Sequence, residues 1–425
     1  METKFKIDKC KLIPREGTAL KEDLDIVKGN PIIDYYESVT SPSIAMTLSF
    51  IDIDQVITRE GIYGGESIDL EISIGGFDPF KISSKKRKQN LVLNAVRDIS
   101  TTSNKQIATL EFVSMESLKN ETCRVNRKYS GNVSQTVEQL IKKDKKGIRT
   151  QKKLKKDRCS NTYSFVGNLK RPFDTVQWLC PKTQSSRKNF GFLFFETLDG
   201  YNFRSIEKLL AQRPTKYEQP DRPIEGSFRI LQNKLNQSND IGLNMRMGMY
   251  ANNTIFVDVE NQTKKEVPFK TKDLDLKKKV RLPEEINELP TRLMFRVNDP
   301  GVAQKGSLFR RVQPESELAV YQNKSYIRNN LLFSQSLSIS IPLNPDLKAG
   351  QIIDIKLPLK RSNSPKKGKV RLRRRTDVNR ARTDSFGDEK TNDPSGRYLI
   401  STLRHMIGGG KSETQLTLIR DVFTA

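Results

Sequence analysis

Gly65-Glu-Ser-Ile-Asp-Leu-Glu-Ile72 and Gly350-Gln-Ile-Ile-Asp-Ile-Lys-Leu357 align without a gap. Glycine, isoleucine and aspartate coincide, and so do the alternating apolar positions. In the first stretch Ile68, Leu70 and Ile72 share one face while Ser67, Asp69 and Glu71 share the other. In the second, Ile353, Ile355 and Leu357 take the apolar face. A period of two is the signature of a half-buried strand. Each stretch follows another alternating run: Met46, Leu48 and Phe50 against Thr47 and Ser49, or Leu337, Ile339, Ile341 and Leu343 against Ser336, Ser338 and Ser340. Each is followed by a closing strand, Ile107–Met115 or Thr414–Arg420. Order, faces and flanks agree, so the chain reads as carrying an internal repeat of one antiparallel β unit. The second copy is longer between its middle and last strands by about the length of a basic run at 360–382. Two similar β units per chain let a three-fold assembly present six similar positions, which suits the joining of a three-fold body to a six-fold ring.

Between the copies the pattern changes. Asn132–Asp144 carries Val133, Val137, Leu140 and Ile141 at helical spacing, with Asn132 or Ser134 available as cap. Arg171–Leu179 is a second expected helix, with Pro172 in its first turn and Pro181 beyond it. Phe190–Glu196 reads as an apolar strand turning at Asp199–Gly200 into Tyr201–Arg204. Pro214–Pro223 reads as a connector. Beyond it Phe228–Leu235 is expected to be helical, and Leu243–Tyr250 and Thr254–Glu260 to be strands; 261–315 is polar with scattered β signals. The expected division is 1–116 (first β unit), 117–215 (mixed α+β), 216–260 with 318–425 (second β unit, including the basic loop 360–392), and 261–317 (a small β-rich insertion).

The chain has 425 residues and a formal net charge of +25. Lys85–Lys88 contributes +4, Lys142–Arg158 contributes +8 and Lys360–Arg382 contributes +10, so the rest is nearly neutral. The candidate contact residues are Lys142, Lys143, Lys145, Lys146, Lys152 and Lys153 in one loop, and Lys366, Lys367, Lys369, Arg371, Arg373, Arg374 and Arg375 in the other. Such runs suit a polyanion, an acidic protein neighbour or plain solubility. Lys360–Arg382 has no aromatic residue on which a base could stack. A nucleic-acid-binding protein that uses loops 142–158 and 360–382 is the alternative functional reading.

Catalytic chemistry finds little support. His405 is the only histidine, and Cys10, Cys123, Cys159 and Cys180 form no CxxC, so zinc sites and paired-histidine mechanisms are not expected. The cysteines read as reduced thiols. Gly408-Gly-Gly-Lys-Ser412 has His405 where a P-loop needs its first glycine, and strands on both sides, so it reads as a hairpin turn. No enzyme and no cofactor is expected. No apolar run reaches membrane-span length, and the first residues do not resemble a signal peptide.

Ser395-Gly-Arg-Tyr-Leu-Ile-Ser-Thr-Leu-Arg-His405, the glycine turn, and Thr414-Gln-Leu-Thr-Leu-Ile-Arg-Asp421 resemble the closing strands of contractile-tail hub proteins. Leu347-Lys-Ala-Gly-Gln-Ile-Ile-Asp354 does so too, and Arg171-Pro-Phe-Asp-Thr-Val-Gln-Trp-Leu179 with Phe190–Ile206 is similar to their helical domain. In order along most of the chain, weakest at 261–315, the match is to the baseplate hub subunit of T-even-type contractile-tailed bacteriophages. The resemblance implies a mainly β chain with α+β insertions: two similar antiparallel β-barrel tube domains, a mixed α/β middle domain and a small β-rich domain. It implies a homotrimeric ring lining the DNA passage, with a central spike protein below and tail tube or tube-initiator proteins above. Baseplate wedge proteins at the rim and transient DNA contact in the channel are further expected partners. The place implied is the virion tail baseplate, assembled in the bacterial host cytoplasm. The basic segments depart from the family pattern, and the rim is the expected place for 360–382.

Overall fold

The computed structural model describes residues 4–83, 90–102, 105–218, 229–237, 240–258, 262–270, 289–297, 315–357 and 395–421. The basic runs Lys85–Lys88 and Lys360–Arg382, and with them Lys366, Lys367, Lys369, Arg371, Arg373, Arg374 and Arg375, lie outside these residues.

The first β unit comprises β1 (Phe5–Ile13), β2 (Leu24–Asp25), β3 (Ile32–Ser38), β4 (Ala45–Asp52), β5 (Ser67–Ile74), β6 (Phe80–Ile82), β7 (Leu91–Thr102) and β8 (Lys105–Ser114). The middle unit holds β9 (Lys128–Tyr129), β10 (Lys153–Lys156), β11 (Phe165–Val166), β12 (Phe192–Thr197) and β13 (Gly200–Ser205), with helices Val133–Glu138 and Pro172–Leu179. Then come β14 (Thr215–Glu218), β15 (Gln232–Gln237), the small sheet of β16 (Ala251–Asp258), β17 (Thr263–Lys270) and β18 (Arg292–Val297), and helix Glu315–Leu332. The second β unit closes with β19 (Gln335–Pro342), β20 (Ile352–Lys356), β21 (Gly396–Gly408) and β22 (Lys411–Arg420).

The strand order of the first unit is β3-β4-β8-β7-β5-β1, and that of the second is β15-β19-β22-β21-β20-β14. The register agrees as well as the order. The N–H of Gly65 bonds the carbonyl of Leu93 at 2.8 Å, and Leu93 returns a bond to Glu66; Gly350 and Ile400 do the same at 2.9 Å, with Gln351 in the place of Glu66. Both glycines have φ near +90° (99° and 82°), open to a residue without Cβ. One position further on, Ser67 faces Val92 as Ile352 faces Leu399. Each long strand then bulges by one residue, Asn94 in β7 and Ser401 in β21. The sixth strands differ: β1 is antiparallel to β5, whereas β14 is parallel to β20.

The two units are continuous. Past its bulge β21 leaves β20 and takes β3 as neighbour, pairing Thr402 with Ser38 through to Ile407 with Ile33. Fourteen strands thereby form one sheet. One apolar core runs beneath both copies, from Leu12, Met46, Leu48 and Phe112 to Leu337, Ile339, Leu416 and Leu418. The chain is mainly β, as expected, and among the described residues no strand ring closes where two β-barrel domains were expected. In the second unit the edge of β21 past its bulge is occupied by β3.

Two sequence expectations fail near the connector. Gln232–Gln237 is strand where a helix was expected, and Ile241–Arg246 is helix, capped by Asp240, where a strand was expected. Helices Val133–Glu138 and Pro172–Leu179 lie where their spacing placed them. Asn132 caps the first, accepting from the Ser134 N–H at 3.0 Å, and Pro172 opens the second. Asp69 is another correction. On the face expected to be polar it is buried, and it pairs with Lys9 of the neighbouring strand β1 at 2.6 Å.

Candidate functional site

The junction of the two copies gathers polar and aromatic side chains from both. His405 lies opposite Tyr35 in the ladder, and their rings stack at 5.9 Å. Phe80 from β6 meets Tyr35 edge-on at 5.2 Å and His405 at 6.1 Å, closing the underside. His405 is fully covered, its Nδ1 lies 2.9 Å from the Thr414 hydroxyl, and burial drives its pKa down to about 3. It is a neutral packing residue. On the opposite face Arg404 grips Asp34 with two bonds, Nε to Oδ1 at 3.1 Å and Nη2 to Oδ2 at 2.9 Å. The fork geometry of arginine makes this contact specific for register as well as charge.

That opposite face is rich in hydroxyls and amides. Ser336 and Ser338 of β19, Thr417 and Gln415 of β22, Thr402 of β21, Thr47 and Ser49 of β4 and Thr109 of β8 share it. Two ion pairs lie within it: Arg404 with Asp34, and Arg97 with Glu111 at 2.9 Å.

The middle unit is anchored to the sheet by buried ions. Lys152 is 3 % exposed; it reaches Glu116 at 2.7 Å and also pairs with Glu196. Thr150 donates to Glu116 at 2.6 Å, and Glu196 accepts the N–H of Ile44 at 3.1 Å. Next to this cluster Glu37 of β3 accepts from Leu198 N–H at 2.7 Å, Ala349 N–H at 2.9 Å and the Tyr35 hydroxyl at 2.8 Å. One carboxylate thus ties the first β unit to the β12–β13 hairpin and to the turn before β20. Burial outweighs these donors and lifts the Glu37 pKa to about 7.

Lys152 therefore corrects the expected contact loop, since a side chain sealed between two carboxylates is closed to any outside partner. Its neighbours divide. Lys143 and Lys156 both bind Glu138, at 3.1 and 2.5 Å, and Lys155 binds Asp199 at 3.2 Å. Lys145, Lys146 and Lys153 are exposed, Lys146 touching Asn126 at 3.2 Å, and Lys142 is half-buried. Sequence reading missed Glu37 and Glu196. The available signal was a lone glutamate in the apolar strand Phe192–Thr197, whose six residues are all buried.

Among the described residues no group of three or more His, Cys, Asp or Glu side chains could hold a metal. No described helix is long and apolar enough to cross a membrane. None of the four cysteines is in a disulfide.

No family model matches this chain, and no curated protein matches its sequence. Solved structures do match its fold. A tail protein from Neisseria meningitidis MC58 superposes with a TM-score of 0.55 at 10 % identity, over 99 % of this chain and 98 % of that one. The 43 kDa tail protein of prophage MuSo2 from Shewanella oneidensis superposes with a TM-score of 0.53 at 7 % identity, over 97 % and 98 %. At this identity the likeness is one of fold: the chain has the mainly β architecture of these tail proteins from end to end.

Proposed function

We propose that this chain is a structural subunit of a phage tail: the baseplate hub. Three copies form a ring that joins a trimeric central spike below to the six-fold tail tube above, with wedge proteins at the rim. The observation that carries this reading is the repeat. Two units of the same strand order, register and bulge stand side by side in one sheet, so three chains supply six near-equivalent positions. The end-to-end fold likeness to two tail proteins supports it. The face rich in serine, threonine and paired charges suits a passage for DNA, because a lining with few unpaired cations holds phosphate weakly. The role is structural, not enzymatic, and its place is the virion tail after assembly in the host cytoplasm.

The nucleic-acid-binding alternative draws less support. Of the loop 142–158, Lys143, Lys152, Lys155 and Lys156 are held by carboxylates of the same chain.

Mass photometry of the chain, alone and co-expressed with its spike, tests the hub reading. Three copies per particle or per spike trimer is the expected result. One copy per spike trimer, or a monomer that shifts on DNA, overturns it.

A further inference from the structure

The repeat leaves two strand edges without the partner that their counterparts have. In the second copy, β21 past its bulge pairs with β3 of the first copy. The corresponding stretch of the first copy is β7 past Asn94. There, among the described residues, β8 is the only neighbour, because β5 reaches no further than Ser67 opposite Val92. The counterpart of β3 is β15, which pairs on one side with β19 and on the other, among the described residues, with nothing.

The ladders fix which residues correspond. Met46 faces Phe112 as Leu337 faces Leu418, and Tyr35 faces Met46 as Leu235 faces Leu337; Leu235 therefore stands where Tyr35 stands. Ile99 faces Ala108 as His405 faces Thr414, with Ala108 and Thr414 opposite Phe50 and Ile341; Ile99 stands where His405 stands. Tyr35 and His405 are 1 % exposed and stacked, whereas Leu235 is 42 % and Ile99 45 % exposed. Polar positions follow the same rule. Lys234 faces Ser338 as Asp34 faces Thr47, so Lys234 takes the place of Asp34. Arg404 sits opposite Gln415, and its counterpart Thr109 faces the second bulge of β7, Arg97–Asp98. Arg97 is held by Glu111, which leaves Asp98 in the position of Arg404. The two open edges thus carry the Arg404–Asp34 pair with its signs reversed.

We propose that β7 of one chain and β15 of a second copy pair antiparallel, with Ile99 directly opposite Leu235 and Asp98 diagonal to Lys234, as Arg404 is diagonal to Asp34 in the internal seam. The contact repeats the internal β21–β3 seam between chains. It buries two exposed side chains and covers two open edges that would otherwise invite uncontrolled association. Being head-to-tail, it propagates until the rotation closes a ring. It rests on the hub reading and names the surfaces that close that ring.

The test uses the full chain with Cys123→Ser, since the other three cysteines are buried. Ile99→Cys with Leu235→Cys should give, under mild oxidation, a ladder of covalently linked oligomers, because directly opposed strand residues fall within disulfide range. Neither single variant should give a ladder. Separately, Asp98→Lys or Lys234→Asp should weaken assembly about tenfold, and the two together should restore it. A trimer that neither cross-links nor responds to the charge changes overturns this pairing and leaves the hub reading standing. A monomer under every condition, with and without the spike, overturns both.

Discussion

Glu37 and His405 titrate in opposite senses at the same seam. Burial raises Glu37 to about 7. Between its ordinary value near 4.5 and about 7 the folded chain keeps a proton that the unfolded chain has released, so stability falls as pH rises through that window. Burial lowers His405 to about 3. Between about 3 and its ordinary 6.5 the unfolded chain takes up a proton that the folded chain refuses, so stability falls as pH drops. The two slopes oppose each other over the overlap. Glu37→Gln should abolish the loss on the alkaline side and leave the acid loss steeper; His405→Phe should do the reverse, keeping a ring against Tyr35. Urea midpoints taken from about pH 4 to pH 8 check both signs. Lys152 is a simpler case. Lys152→Met strands Glu116 and Glu196 in the interior, and breaking a buried pair in this way costs about 3–5 kcal/mol. Restoring neutrality with Glu116→Gln and Glu196→Gln should recover much of the loss in the same denaturation assay.

At the scale of elements the repeated turn is the informative one. Gly65 and Gly350 start β5 and β20 with the same left-handed backbone, which costs a residue with Cβ roughly 1–2 kcal/mol. Their surroundings differ. A Cβ on Gly350 would stand 2.7 Å from Cζ of Phe195, in the tightly packed contact with the middle unit, whereas one on Gly65 would stand 3.1 Å from the methyl of the half-buried Thr18. Gly350→Ala should therefore lower the thermal midpoint clearly more than Gly65→Ala. Asn132→Ala, which removes the cap of the Val133–Glu138 helix, should cost about 1 kcal/mol by chemical denaturation. The misread elements share a physical cause. Gln232–Gln237 is polar apart from Leu235 and is strand because β19 offers it a ladder, and Ile241–Arg246 is a short turn of helix whose pattern suits either period. Helix Glu315–Leu332 was not anticipated at all. Gln322, Asn323, Ser325 and Arg328 are buried in it, and Arg328 reaches Asp421 at 3.0 Å and Glu207 at 2.6 Å, so its polar pattern looks solvated until its neighbours are in place.

At the scale of the whole molecule the charge concentrated in 360–382 is the feature to test in assembly. On the proposed hub reading, replacing Lys366, Lys367, Lys369, Arg371, Arg373, Arg374, Arg375 and Arg380 with Ser or Gln should leave the proposed trimer intact and weaken baseplate assembly in a salt-sensitive way, read by sedimentation of assembled baseplates at two ionic strengths. Normal assembly with altered DNA ejection would place the run in the channel instead of at the rim. The strand periods, the glycines at the start of β5 and β20, the mixed middle unit and the internal repeat were legible in the residues alone. Alternation of side chains and the steric freedom of glycine act over a few residues and leave their mark wherever they act. Other features belong to the tertiary structure. Only there does β21 leave β20 past its bulge to take β3, merging two units into one sheet on one core. Only there does Lys152 leave the basic loop to sit between Glu116 and Glu196, since sequence reports that a lysine is charged but not that two carboxylates more than thirty residues away on either side converge on it. Burial, pairing of distant edges and the resulting shifts of Glu37 and His405 arise from groups that meet only when the chain is folded.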